Sequence, residues 1–128
     1  MKYATHEVVI ESPFIACKRT DELLPVFRKL RKHGVKVRIN TRNPRHHDKE
    51  LCIQAWVAMK RLRAVGVKVK FYDDYRHRKL AVIDSRVLWE GSLNILSQSC
   101  SKEIMRRTVS ETLALQMLCF TGMNKWSW

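Results

Sequence analysis

Hydrophobic positions along the chain switch between a period of two and a helical period. The β-branched run Val8-Val9-Ile10 meets Pro13, which predicts a strand over about residues 7–12. Leu23, Phe27 and Leu30 then recur at helical spacing with Val26 alongside. Thr20 and Asp21 offer an N-cap, Pro25 fits the first turn, where a missing N–H does least harm, and Gly34 ends the helix. VKVRI at 35–39 alternates apolar and basic residues and predicts a second strand, followed by a loop over 41–47. Asp48 can cap a second helix in which Leu51, Ala55, Ala58, Leu62 and Val65 share one face up to Gly66. VKVKF at 67–71 repeats the strand pattern. Strands are predicted at about 78–84 and 86–90, joined by a tight hairpin, with a short strand around 103–107. Thr108-x-x-Glu111 reads as a capping box opening a last helix through about Phe120, ended by Gly122.

The order β-α-β-α-β-β-β-β-α predicts an α/β layered domain with a mixed, partly parallel sheet flanked by helices. With 128 residues, 45% of them hydrophobic, one domain with a single modest core is expected. It is placed at residues 1–122, and residues 123–128 form a C-terminal tail. No apolar run approaches the roughly 20 residues of a membrane span, and the N-terminus lacks the apolar stretch of a secretory signal. A cytoplasmic protein without a membrane is the expectation. Cys17, Cys52, Cys100 and Cys119 show no metal-ligand spacing, so they are expected to be reduced, mostly buried thiols. His46, His47 and Asp48 read as a solvated loop with a helix cap rather than a metal cluster, and Trp56 and Trp89 as core residues.

Charge changes the picture more than composition does. Of the net +13, residues 28–70 supply +12, from 14 Lys+Arg and 2 Asp+Glu. A local field of that size attracts polyanions, of which nucleic acid is the commonest. Arg42 and Arg45 fall in the loop after the second strand, where ligands of parallel sheets gather, and are candidates for contact with a nucleic-acid backbone.

One segment carries specific chemistry: His77-Arg78-Lys79, four residues, Asp84, six residues, then Gly91-Ser92-Leu93-Asn94. On an extended strand His77 and Lys79 project together, whereas Asp84 has the opposite parity, which suggests a supporting role for it. An imidazole, an ammonium, a hydroxyl and an amide converging would suit a phosphate, with one nucleophile surrounded by donors.

This HxK(x)4D(x)6GSxN pattern resembles the HKD signature of the phospholipase D superfamily. The resemblance extends to the strand ending in SPF, the helix–Gly–strand unit ending in TR, and a downstream Glu103; it covers roughly residues 6–120. It is closest to PLD-like nuclease domains. The resemblance implies a phospholipase D-like fold and metal-independent phosphodiester cleavage through a phosphohistidine, with no cofactor. His77 would be nucleophile or acid; Lys79, Ser92 and Asn94 would hold the phosphate; Glu103 would orient the imidazole. Arg78 would add a nucleic-acid contact beside Arg42 and Arg45. The family normally joins two HKD copies in one site and this sequence has one, so a homodimer is implied. DNA is favoured over RNA as the partner. The alternatives are a non-catalytic nucleic-acid-binding module of a larger helicase or restriction-type protein, and a phospholipid hydrolase.

Overall fold

The computed structural model describes residues 3–46, 48–73, 79–91 and 105–123. In chain order these form β1 (Glu7–Glu11), α1 (Cys17–Lys32), β2 (Lys36–Arg42), α2 (Lys49–Ala64) and β3 (Lys68–Tyr72). Then follow β4 (Leu80–Ile83), β5 (Val87–Gly91), β6 (Met105–Val109) and α3 (Glu111–Thr121). A single 3-10 turn at Pro44–His46 precedes α2. The strands make one sheet in the order β3-β2-β1-β4-β5-β6. β1, β2 and β3 run parallel, joined by helical crossovers, while β4, β5 and β6 form an antiparallel meander added beside β1.

Strand alternation divides the core in two. Val8, Ile10, Val37, Ile39, Val69, Ala81 and Ile83 face one way and meet Phe27 and Leu30 of α1 and Ala58, Met59 and Leu62 of α2. Val9, Leu80, Val82 and Leu88 face the other way, against Ala114 and Leu118 of α3. The apolar run in β1 is continuous because both of its faces are covered. Beyond α3, the guanidinium of buried Arg38 donates to the Met123 carbonyl at 2.9 Å and to Glu7 at 3.2 Å, tying the helix end to the sheet. Burial lowers the Arg38 pKa, opposed by the charge of Glu7.

Several local expectations need correction. α1 begins at Cys17 with Ala16 as N-cap, so Thr20 and Asp21 lie inside the helix and Pro25 is interior. Tertiary contact outweighs the local cap signal: Thr20 is buried, and the Cys17 thiol contacts the Gln54 carbonyl of α2 at 3.5 Å. Ser110, not Thr108, caps α3 and accepts from the Leu113 amide at 3.2 Å, because Thr108 is held in β6 opposite Leu88. Trp56 is 41% exposed and meets Phe71 edge-on at 5.7 Å, outside the core, whereas Trp89 packs partly buried against it. Among the described cysteines, Cys17 and Cys52 are half-buried thiols and Cys119 is exposed; Cys100 lies outside the described residues. Asp48 caps α2 as expected, accepting from Leu51 N–H at 2.9 Å. No described helix is long and apolar enough to cross a membrane.

Both crossover helices end in a left-handed glycine, Gly34 at φ +79° and Gly66 at φ +91°. A Cβ at Gly34 would meet nothing, but one at Gly66 would lie 3.0 Å from Arg31 Nε. Arg31 also donates to the Val35 carbonyl at 3.2 Å, so moving it disturbs a second contact. Gly34→Ala is therefore expected to lose about 1 kcal/mol from backbone strain alone. Gly66→Ala should lose roughly 1 kcal/mol more. Urea unfolding of the two variants checks the ranking.

Candidate active site

Strand direction brings the site segments to one end of the sheet. The carboxyl ends of β1, β2 and β3 lie level with the amino end of β4, since Glu11 pairs both Asn40 of β2 and Leu80 of β4. β5 returns to the same end, where Leu80 faces Glu90 and Gly91 donates its N–H to the Lys79 carbonyl at 3.3 Å. β6 starts there too, with Met105 opposite Gly91. Thus the half-buried Lys79, which ends the HxK segment, and Gly91, which opens GSxN, are bonded neighbours. His77, Arg78, Ser92, Asn94 and Glu103 lie outside the described residues.

The floor at this end is a buried polar layer that pattern reading missed. Glu11 is fully buried and accepts from the Asn40 amide at 3.0 Å; buried Ser12 donates through its hydroxyl to the Phe14 carbonyl at 3.2 Å. Ser12 N–H also donates to the Asn40 carbonyl, extending the β1–β2 ladder beyond the strand. Asn43 donates to Asp73 at 3.0 Å and accepts from the Arg45 amide at 3.1 Å, which shapes the turn into α2. The available signal was Glu11 itself, a carboxylate closing the apolar run Val8-Val9-Ile10 at a position in phase with Val9. Buried polar groups in such a layer persist because they are hydrogen-bonded to one another.

The two described arginines expected to contact nucleic acid differ sharply. Arg45 is exposed in the 3-10 turn, as a loop residue should be. Arg42 is a correction, because β2 runs on through residue 42, paired with Tyr72 of β3, instead of ending before the loop. Its side chain is 7% exposed and its guanidinium lies 5.6 Å from the Phe14 ring. A cation stacked over an aromatic face in a low-exposure setting braces the SPF corner of β1.

Asp84 stands at the opposite end of β4, roughly 16 Å from Lys79 at the usual rise per strand residue. It and Ser85 take φ +55° and +52° in the β4–β5 hairpin, closed by Arg86 N–H to the Ile83 carbonyl at 3.0 Å. From there the Asp84 carboxylate accepts from the amides of His6 (2.6 Å), Glu7 (3.0 Å) and Thr5 (3.0 Å). Its own N–H donates to the Glu7 carbonyl at 2.8 Å. The aspartate of the HKD pattern therefore clasps the start of β1. Among the described residues no three His, Cys, Asp or Glu side chains converge as a metal would require.

With this geometry in view, comparisons with known proteins become decisive. A family model described as "Cardiolipin synthase, PLD-like domain" matches residues 1–120. The chain belongs to the PLD-like domain family. Among solved structures, this PLD-like domain is similar to Nuc from Salmonella typhimurium, described as a phospholipase D family member. The two share 19% identity over 93% of this chain and 77% of that one, with a TM-score of 0.71. It is also similar to NucT from Helicobacter pylori, at 17% identity over 95% and 80% of the chains and a TM-score of 0.66. TrmBL2, an archaeal chromatin protein described as showing a novel mode of DNA binding, aligns over 96% of this chain and 44% of its own, at 12% identity and a TM-score of 0.60. No curated protein matches the sequence.

The clasp in this PLD-like domain has a pH signature. Burial raises the Asp84 pKa, but hydrogen bonds from the amides of Thr5, His6 and Glu7 outweigh it, and the net shift is downward. A depressed folded value stabilises the fold above the unfolded aspartate pKa of about 3.9, and that contribution disappears as pH falls through the folded value. Asparagine tolerates the left-handed backbone, so Asp84→Asn isolates the charge. It should destabilise by about 2 kcal/mol at neutral pH, a gap that closes as pH falls from the unfolded aspartate range through the lowered folded value. Denaturant titrations of both proteins across that range give the test.

Proposed function

We propose that the protein is a metal-independent phosphodiesterase that cleaves nucleic acid at a site completed by two copies of the chain. The observation that carries this reading is the Gly91–Lys79 hydrogen bond, which joins the HxK and GSxN segments at the carboxyl end of the parallel strands. Membership of the PLD-like family supports phosphodiester chemistry, and the likeness to Nuc, a phospholipase D family member, supports the same class. Nucleic acid as substrate is supported by the +12 segment and by the likeness to TrmBL2, whose description includes DNA binding. DNA is accordingly the polymer favoured.

In the proposed reaction the neutral His77 imidazole attacks phosphorus, forming an N–P bond as the P–O bond to the leaving group breaks. The partner's His77, protonated, gives its proton to the departing oxygen. Water then attacks phosphorus, loses its proton to the same imidazole, and breaks the N–P bond, which restores both histidines. Lys79, Ser92 and Asn94 neutralise and bind the phosphoryl oxygens as charge builds on them. Glu103 accepts from the second imidazole nitrogen and fixes its tautomer. Asp84 acts at a distance, through the register of β4. One imidazole must start neutral and the other charged, so their titrations are coupled and the pH–rate profile should be bell-shaped.

The test is hydrolysis of single-stranded DNA and of bis(p-nitrophenyl) phosphate in excess EDTA. Activity should persist there, His77→Ala should abolish it, and Lys79→Ala should lower kcat by roughly 100- to 1,000-fold. Loss of activity on chelation with recovery on adding Mg²⁺ would contradict the mechanism. Salt-sensitive DNA binding without any cleavage would favour a binding module instead.

A further inference from the structure

The last helix differs from the two crossover helices in its charge. α1 and α2 carry eight and five charged residues in sixteen each, whereas α3 carries one, Glu111, in eleven. Ala114, Leu118 and Thr121 turn one face of α3 to the sheet. Thr112 and Gln116 crest the opposite face. Leu113 lies on one flank of that crest and Leu115 on the other, 45% and 52% exposed. Beside the crest, Leu113 and Met117 of α3 and Leu88 and Glu90 of β5 line a groove. α3 starts at the far end of the sheet, where Ser110 N–H donates to the Arg86 carbonyl at 2.8 Å. The groove reaches Glu90, one residue from Gly91 at the site end.

The groove is edged by charges of both signs. Arg106 of β6 stands opposite Glu90, on the side of the sheet that Leu88 turns to α3. Glu90 is half-buried and Arg106 exposed, and among the described residues neither side chain has an ion-pair partner. Such a patch is complementary to itself. A two-fold axis sets a surface against its own copy, so Glu90 of each chain can meet Arg106 of the other while α3 lies against α3. Two chains of net +13 repel, and joining them through their least charged helix keeps that repulsion lowest.

We propose that the outer face of α3 and the groove beside it form the two-fold interface through which two copies of this chain join. The proposal rests on the reading that the reaction centre needs two copies, and it names the surface that unites them. A two-fold contact that includes Glu90 keeps the Gly91–Lys79 hydrogen bond of each chain beside the interface.

Sedimentation equilibrium of the full chain reads the dimer dissociation constant, with hydrolysis of bis(p-nitrophenyl) phosphate followed in parallel. Leu113→Arg should raise that constant at least about 100-fold, because the two-fold axis counts the change twice. Its circular dichroism spectrum should match the wild type, since Leu113 is already exposed within one chain. Glu90→Arg and Arg106→Glu should each weaken the dimer by about tenfold or more. Mixing these two proteins should restore it, because each supplies the charge that the other lacks. Pairing within one chain cannot produce that recovery. A wild-type dimer unaffected by Leu113→Arg, or charge variants that do not recover on mixing, would overturn this interface and leave the two-copy site standing. Loss of the dimer with hydrolysis per chain unchanged would overturn the two-copy site alone. A wild-type protein that stays monomeric at millimolar concentration would overturn both.

Discussion

The antiparallel pairing of β1 with β4 is the constraint on which the rest depends. Among the described strands it is the seam between the parallel half of the sheet and the meander. A slip of one residue along it would turn Leu80 and Val82 away from α3 and move Lys79 relative to the ends of β1 and β2. Asp84 guards against that slip. Reaching from a left-handed turn, it ties the last turn of the β4–β5 hairpin to three successive amides at the start of β1. The motif's aspartate and its lysine thus stand at opposite ends of a four-residue strand, and the register held at the first fixes where the second lies.

Around that seam the protein separates its polar work by end. Carboxyl ends of parallel strands present Glu11, Asn40 and Asn43 as a bonded layer beneath Lys79 and Gly91. Helix C-termini and strand starts carry lysines at the other end. Arg42 belongs to the first group but is buried against Phe14, so it shapes the corner where β1 leaves the sheet. Positive charge on this chain is therefore partly scaffold and partly surface, and only the exposed part can meet a polymer.

Much of the fold was legible because helical and alternating periods are local. Leu51, Ala55, Ala58 and Leu62 mark the buried side of α2, and the alternation in VKVRI marks β2, with no knowledge of neighbours. What failed were choices made by partners distant in sequence. β2 outran its apolar pattern because β3 continues to bond Thr41 and Arg42. α1 began a turn early because Cys17 has a contact on α2. The family was legible from the fixed spacing of His77, Lys79, Asp84, Gly91, Ser92 and Asn94, since spacing survives where propensity is ambiguous, and the family match over residues 1–120 agrees. The burial of Glu11 against Asn40 was not, because it exists only once β1 and β2 are parallel and in register.

The central claim is that two chains share one reaction centre, each contributing a single histidine. Random co-refolding of wild-type and His77→Ala chains in equal amounts measures this most directly. A mixed pair has one histidine at the shared centre and cannot both attack and protonate. The mixture should then retain about a quarter of the wild-type activity, since about one pair in four contains two intact chains. Retention of half would mean that each chain works alone, and the shared centre would be wrong.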